Sequence, residues 1–357
     1  MLEKFIRDRD IEKSTIDGYK TTISQYESFH ETSIEDLILE AWDDEEEYRN
    51  MYQRRIKDRI LDFRTALLES EELSETTINH KITKLQTFYT HYGVTFPKIK
   101  GLKNKQTQIT YFDLPNKEHI QLALESTSIQ NQAIILFLAS SGTGKSEAAS
   151  ITISDFIRAT EEYHNGGTLE EIIEELWKIQ EPLVPTFSLK RKKTQREYYT
   201  FCTPEASFSI LRYLKHRLKI LDNKNKKEGT NDKLDLSEPL FGVNERGISD
   251  RLRNINDNLG FGFKGKYRFF RPHTLRKFHA SNIGLTEEHV DMLQGRSKDV
   301  IHETYIKSNP KYLKQIYMNV MDNVTIKLED QRIVKNEEFN LNIHIHFHDE
   351  GLNTSIL

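Results

Sequence analysis

Cysteine is nearly absent: Cys202 is the only one among 357 residues. No disulfide can close within the chain, which excludes a disulfide-stapled scaffold and suits a reducing compartment. Long apolar runs are missing too. No segment offers the roughly 18 uncharged apolar residues of a membrane span, and the opening MLEKFIRDRD lacks the apolar stretch of a secretory signal. The expectation is a soluble, cytoplasmic chain without membrane association. A large excess of one charge is also lacking. The formal net charge of −4 excludes a uniformly basic coat, yet a sum over the chain hides local fields. No internal repeat is found.

What is present supports packed cores under a charged surface, with 36% hydrophobic and 30% charged residues. A single core stops growing at roughly 250 to 300 residues, so two domains are expected. Acid gathers in Asp43-Asp44-Glu45-Glu46-Glu47, base in Lys190-Arg191-Lys192-Lys193 and from Lys224 to Lys227. A DNA-binding face with an acidic back fits that distribution.

Helical spacing recurs early. Ser14 and Thr15 offer an N-cap before the stripe Ile16, Tyr19, Ile23 and Tyr26. Arg54 to Leu68 reads as another helix, and a third runs through Ile78, Ile82, Leu85 and Tyr89 to Gly93. Residues 1–95 are therefore expected as a small helical domain and residues 96–109 as a linker. A second domain, residues 110–326, starts near Leu114-Pro115-Asn116. In it Leu183 to Leu189 and Glu197 to Cys202 read as a β-hairpin with a charged tip. Thr203-Pro204 starts a helix, Asn223 to Lys233 reads as a surface loop, and helices resume from Ser249. Residues 327–357 form a tail without helical periodicity. The fold class expected is mainly α with a small β-sheet.

The chemistry concentrates late in the chain. Arg271-Pro272-His273-Thr274-Leu275-Arg276 is followed by Leu293-Gln294-Gly295-Arg296 and then by Tyr305. On one helical face, His273 and Arg276 can point at a single phosphate, the arginine giving two parallel donors. A phenol attacking a phosphodiester needs charge neutralisation, loss of its proton, and a proton for the leaving oxygen.

This arrangement resembles the tyrosine recombinases, the phage-type integrase family, in its archaeal branch. Their signature runs His-x-x-Arg, then Leu-x-Gly-His/Trp, then Tyr nine residues further on, which Arg296 to Tyr305 matches. Gly142-Thr143-Gly144-Lys145-Ser146-Glu147, with Ile151 and Asp155, matches the family's earlier arginine turn, and Lys193 falls where the family carries a hairpin lysine. Two positions depart: Gly144 stands where the first arginine is expected, with Lys145 the nearest cation, and Arg296 stands where His or Trp is usual.

The resemblance implies an N-terminal core-binding (SAM-like) helical domain and a mixed α/β catalytic domain that together grip double-stranded DNA. It implies cleavage and rejoining through a 3′-phosphotyrosine bond, without metal or cofactor. Tyr305 is then the nucleophile and Lys193 the general acid, with Lys192 as its substitute. His273 is base or phosphate ligand, Arg276 and Lys145 clamp the phosphate, and Arg296 donates a hydrogen bond. It also implies a homotetramer on DNA, with a Lys311 to Met321 helix docking on a neighbour.

Other readings stay open. Ala139 to Ser146, ASSGTGKS, matches a permissive phosphate-binding loop for nucleotides, though Ala139 replaces its first glycine. A DNA-binding relative that has lost cleavage is another. Gly260 to Gly265 spells a dinucleotide-type pattern but reads as a loop, Tyr312 is an alternative nucleophile, and the alternating His344, His346 and His348 carry no metal assignment.

Overall fold

A computed structural model of the chain describes residues 1–47, 50–103, 110–192, 195–296 and 309–326. Lys193, Tyr305 and the tail with its alternating histidines lie outside the described residues. The chain divides into two compact units, Met1–Thr107 and Gln108–Leu357.

The first unit is built from α1 (Leu2–Arg9), α2 (Lys13–His30), α3 (Ile34–Glu46), α4 (Arg55–Glu69) and α5 (Glu75–His91). Their apolar stripes meet in one core, where Tyr26, Ile38, Ile60, Leu85 and Phe88 are fully buried. Ser33 and Ser74 cap α3 and α5 by accepting from Asp36 N and Thr77 N. Helix α2 starts before the expected Ser14–Thr15 cap, because the carbonyl of Glu12 already accepts from the amides of Thr15 and Ile16. The acidic run is not simply a solvated back: fully buried Asp44 takes the Arg55 amide at 2.7 Å and its guanidinium at 2.8 Å, pinning the start of α4. Much of the expected linker also lies on this unit. Pro97 is buried, and Asn79 bonds the Leu102 backbone in both directions at 2.9 Å.

The second unit contains α6 (Lys117–Glu125), α7 (Ile129–Ser141), α8 (Lys145–Ser150), α9 (Ile153–Ala159) and α10 (Leu169–Lys178). The hairpin β1 (Thr186–Lys190) and β2 (Glu197–Phe201) follows, then α11 (Pro204–Glu228) and α12 (Glu245–Asn258). A short hairpin, β3 (Phe263–Lys264) with β4 (Tyr267–Arg268), leads to α13 (Pro272–Asn282), α14 (Glu287–Leu293) and α15 (Pro310–Val320). The architecture is mainly α, with two separate antiparallel hairpins among the described residues.

Helix α7 is the axis. It is apolar on all sides, every residue from Ala133 to Ser141 is buried, and α11 and α13 pack along it. It stops at Gly142, whose φ of 63° is left-handed. Helix α11 runs to Glu228, into the expected loop. The pairs Asp222–Lys226 and Lys224–Glu228 stabilise an exposed last turn that polar composition alone reads as irregular. Helix α15 lies on its own unit: Leu313 and Tyr317 are buried, and Tyr317 Oη donates to the Ser140 carbonyl at 3.0 Å.

Candidate active site

Three segments far apart in sequence are tied together by one guanidinium. Arg276, on the buried face of α13, donates from Nη1 to the Gly142 carbonyl at 2.8 Å and from Nη2 to the Gln294 carbonyl at 2.7 Å. The turn after α7, the helix α13 and the turn after α14 therefore meet at this residue. Burial pushes the Arg276 pKa down to about 10, with the Tyr198 phenol opposing and the charges of Arg296 and Arg191 reinforcing. It stays cationic at neutral pH.

Glycine is required at two of these turns. A Cβ on Gly142 would fall 2.5 Å from His279 Nδ1, at a backbone φ that already disfavours side chains. A Cβ on Gly295, at φ 61°, would fall 2.6 Å from the ring of Tyr198. Behind Arg276, Gln294 Nε2 donates to the Arg276 carbonyl at 3.2 Å and reaches His279 Nδ1 at 3.0 Å. The amide nitrogen only donates, so His279 accepts on Nδ1 and is neutral. Its burial, then Arg276 and Arg296, push its pKa down to about 3.

His273 lies one turn before Arg276 on α13. Its ring is open to solvent on one side, yet the protein around it and the charges of Arg271, Lys277, Arg276 and Arg296 push its pKa down to about 4. The unliganded ring is a neutral imidazole in a field of cations, an arrangement that an anion would reverse. Arg296 borders the same cluster, its guanidinium 3.7 Å from Asp291.

The hairpin closes the site from the other side. Arg191 Nη1 donates to the Gly295 carbonyl at 2.7 Å, and Arg196 Nη1 donates to the Arg296 carbonyl at 3.1 Å. The base of the hairpin tip is thus fastened to the turn after α14. Lys192 is exposed near Glu245, whose carboxylate feels its charge.

Of the residues expected at the site, His273, Arg276 and Arg296 come together. Lys145 turns elsewhere: its Nζ is 3.2 Å from Glu245 and 3.3 Å from Ser249, both on α12. Residues two apart on a helix diverge by about 200°. Accordingly Glu147, not Lys145, exerts its charge on Arg276 and Tyr198. Lys193 and Tyr305 are outside the described residues, and Tyr312 is exposed on α15. Tyr198 is buried against Arg276, but burial and then Glu147 raise its pKa, the wrong direction for a nucleophile.

Sequence reasoning passed over Arg191, Arg196, Gln294 and His279 as site residues. The first two were visible only as part of a charge run. Nothing in the pattern marks the other two, whose role is to be buried behind Arg276.

The preceding residues also weigh against a nucleotide loop. That motif follows a strand, whereas Gly142 follows the helix α7, and the lysine is held by α12.

No family model matches the chain. It aligns along 89% of its length with 98% of the Tn1549 transposon integrase solved in complex with transposon right-end DNA, with a TM-score of 0.53 and 13% identity. The chain has the integrase fold. A lambda integrase dimer bound to a core site is also similar, over 85% of this chain and 74% of that one, at TM-score 0.49 and 12% identity. In sequence, the TnP I resolvase of Bacillus thuringiensis is 26% identical over 164 residues, which is 43% of this chain and 52% of that protein. The chain thus spans about half the length of the curated relative it matches. None of these comparisons supports an archaeal placement. Within the integrase fold, the Gly142 turn, α13 and the turn after α14 carry the residues described above. Among the described residues no helix is long and apolar enough to cross a membrane.

Proposed function

We propose that the chain is a site-specific DNA recombinase of the tyrosine type, an integrase that cleaves and rejoins DNA through a 3′-phosphotyrosine bond. The observation that carries this reading is the convergence of His273, Arg276 and Arg296 at one point of an integrase fold. Burial first, and then the surrounding cations, depress the His273 pKa, and such a cluster of positive charge is suited to receive an anion.

In this reading the scissile phosphate lies against Arg276 and His273. Arg276 is pre-organised by two carbonyls, so its remaining N–H groups face the phosphate without reorganisation. His273, neutral when free, takes a proton or a hydrogen bond as negative charge develops beside it. Tyr305 attacks phosphorus and the 5′ oxygen leaves, protonated by Lys193. The free 5′ hydroxyl of another strand reverses the step, and the phosphodiester is re-formed without an energy source. Residues 1–95 serve as the DNA clamp and residues 110–326 as the catalytic domain, assembled as a tetramer on DNA.

A second reading, DNA binding without cleavage, draws on Gly144 and on the engagement of Lys145 with α12. One experiment separates them. The chain is incubated with a nicked duplex pool of randomised sequence and resolved on a denaturing gel. A covalent protein–DNA band that is lost in Tyr305→Phe supports the recombinase. Salt-sensitive binding with no such band supports the second reading.

A further inference from the structure

We propose that Arg191, at the base of the β1–β2 hairpin, is a phosphate-binding residue of this site and supplies the second guanidinium that Gly144 does not. The inference rests on the recombinase reading. It starts from three guanidinium groups on three consecutive carbonyls: Arg276 on Gln294 at 2.7 Å, Arg191 on Gly295 at 2.7 Å, and Arg196 on Arg296 at 3.1 Å.

Successive Cα atoms are about 3.8 Å apart, so these cations crowd into one turn. Like charges at such spacing repel, and carbonyl dipoles offset only part of the repulsion. A phosphodiester among them removes it and gains charge-assisted hydrogen bonds.

Arg191 fits the part better than the other cations. A guanidinium has five N–H donors, and the Gly295 carbonyl takes one of those on Arg191. Its charge reaches both Arg276 and the Tyr198 phenol. Lys145, the nearest cation in sequence to Gly144, points at Glu245 and Ser249 instead. Glu147 folds back over Gly144, with Oε2 2.3 Å from where a Cβ would stand. A carboxylate therefore lies beside Gly144 where the site needs a cation, and the second guanidinium comes from the hairpin side.

The test measures binding of a 40-base-pair duplex by fluorescence anisotropy across a KCl series, alongside the covalent-band assay. Each phosphate contact contributes about 0.9 to the slope of log K against log salt. Arg191→Ala is expected to lower that slope by about one, weaken binding about tenfold, and cut the covalent band about 100-fold. Arg191→Gln keeps an amide donor for the Gly295 carbonyl but no charge, and is expected to lose the slope equally, whereas Arg191→Lys keeps it. A purely positioning role leaves the slope of Arg191→Gln at the wild-type value and overturns the proposal. So does a slope loss in Lys145→Ala with none in Arg191→Ala. Thermal melts check folding, and if Arg191→Ala does not fold, the Gln and Lys variants decide. Wild-type protein that binds DNA but forms no covalent band defeats the recombinase reading alone, leaving the Arg191 contact to the slope. A wild-type band with an unchanged Arg191→Gln slope defeats the inference alone. Absence of DNA binding defeats both.

Discussion

At Gly144 the backbone is ordinary for any residue, with φ −72° and ψ 157°, and the three atoms nearest an added Cβ belong to the Glu147 side chain. That side chain can swing aside, so Gly144→Arg is expected to fold normally, with a urea midpoint close to that of wild type. Gly142 is the opposite case. Its positive φ and the close approach of the His279 ring predict that Gly142→Ala loses about 1–3 kcal/mol of stability in urea unfolding. The histidines make stability depend on pH. His279 and His273 titrate near 3 and 4 in the folded chain, against about 6.5 when unfolded. Between those values the unfolded chain binds more protons, so stability is full above about 6.5 and falls as pH drops toward 4 and then 3. Urea midpoints at pH 7 and pH 5 should differ, and less so in His273→Asn. With DNA bound, the phosphate raises the His273 pKa, so wild-type affinity should rise a few-fold from pH 7.5 to 6 and that of His273→Asn should not.

Elements hold the site through their ends rather than their middles. Helix α7 delivers the Gly142 carbonyl, α13 starts at Pro272, and α14 ends in a turn that receives Arg276, Arg191 and Arg196. The last carbonyls of a helix lack partners within it, and α15 provides one for α7 through Tyr317 and Ser140. Tyr317→Phe should therefore cost about 1 kcal/mol, read as a lower urea midpoint with an unchanged slope. Element boundaries were legible where side chains act locally. Gly93 follows α5 and β2 starts at Glu197 as expected, although β1 starts at Thr186 rather than Leu183. They were misread where backbone or surface pairs decide, as at the start of α2 and the end of α11.

For the whole molecule, a net charge of −4 coexists with a local crowd of cations around the turn after α14. Binding to DNA should therefore weaken steeply with salt, by 10²-fold or more between about 50 and 200 mM KCl if several phosphates are contacted. A salt-insensitive affinity would contradict the proposed DNA interface. The sequence by itself determined the mainly helical class, because apolar periodicity is a local property, and it marked His273, Arg276 and Arg296 as candidates by their spacing. Only the tertiary structure decided which cations share a site. Lys145 and Glu147 are two residues apart yet face different neighbours, and Arg191 meets Gly295 across 104 positions. Spacing along a chain specifies direction within one helix, but the meeting of separate elements depends on packing, which no short pattern encodes.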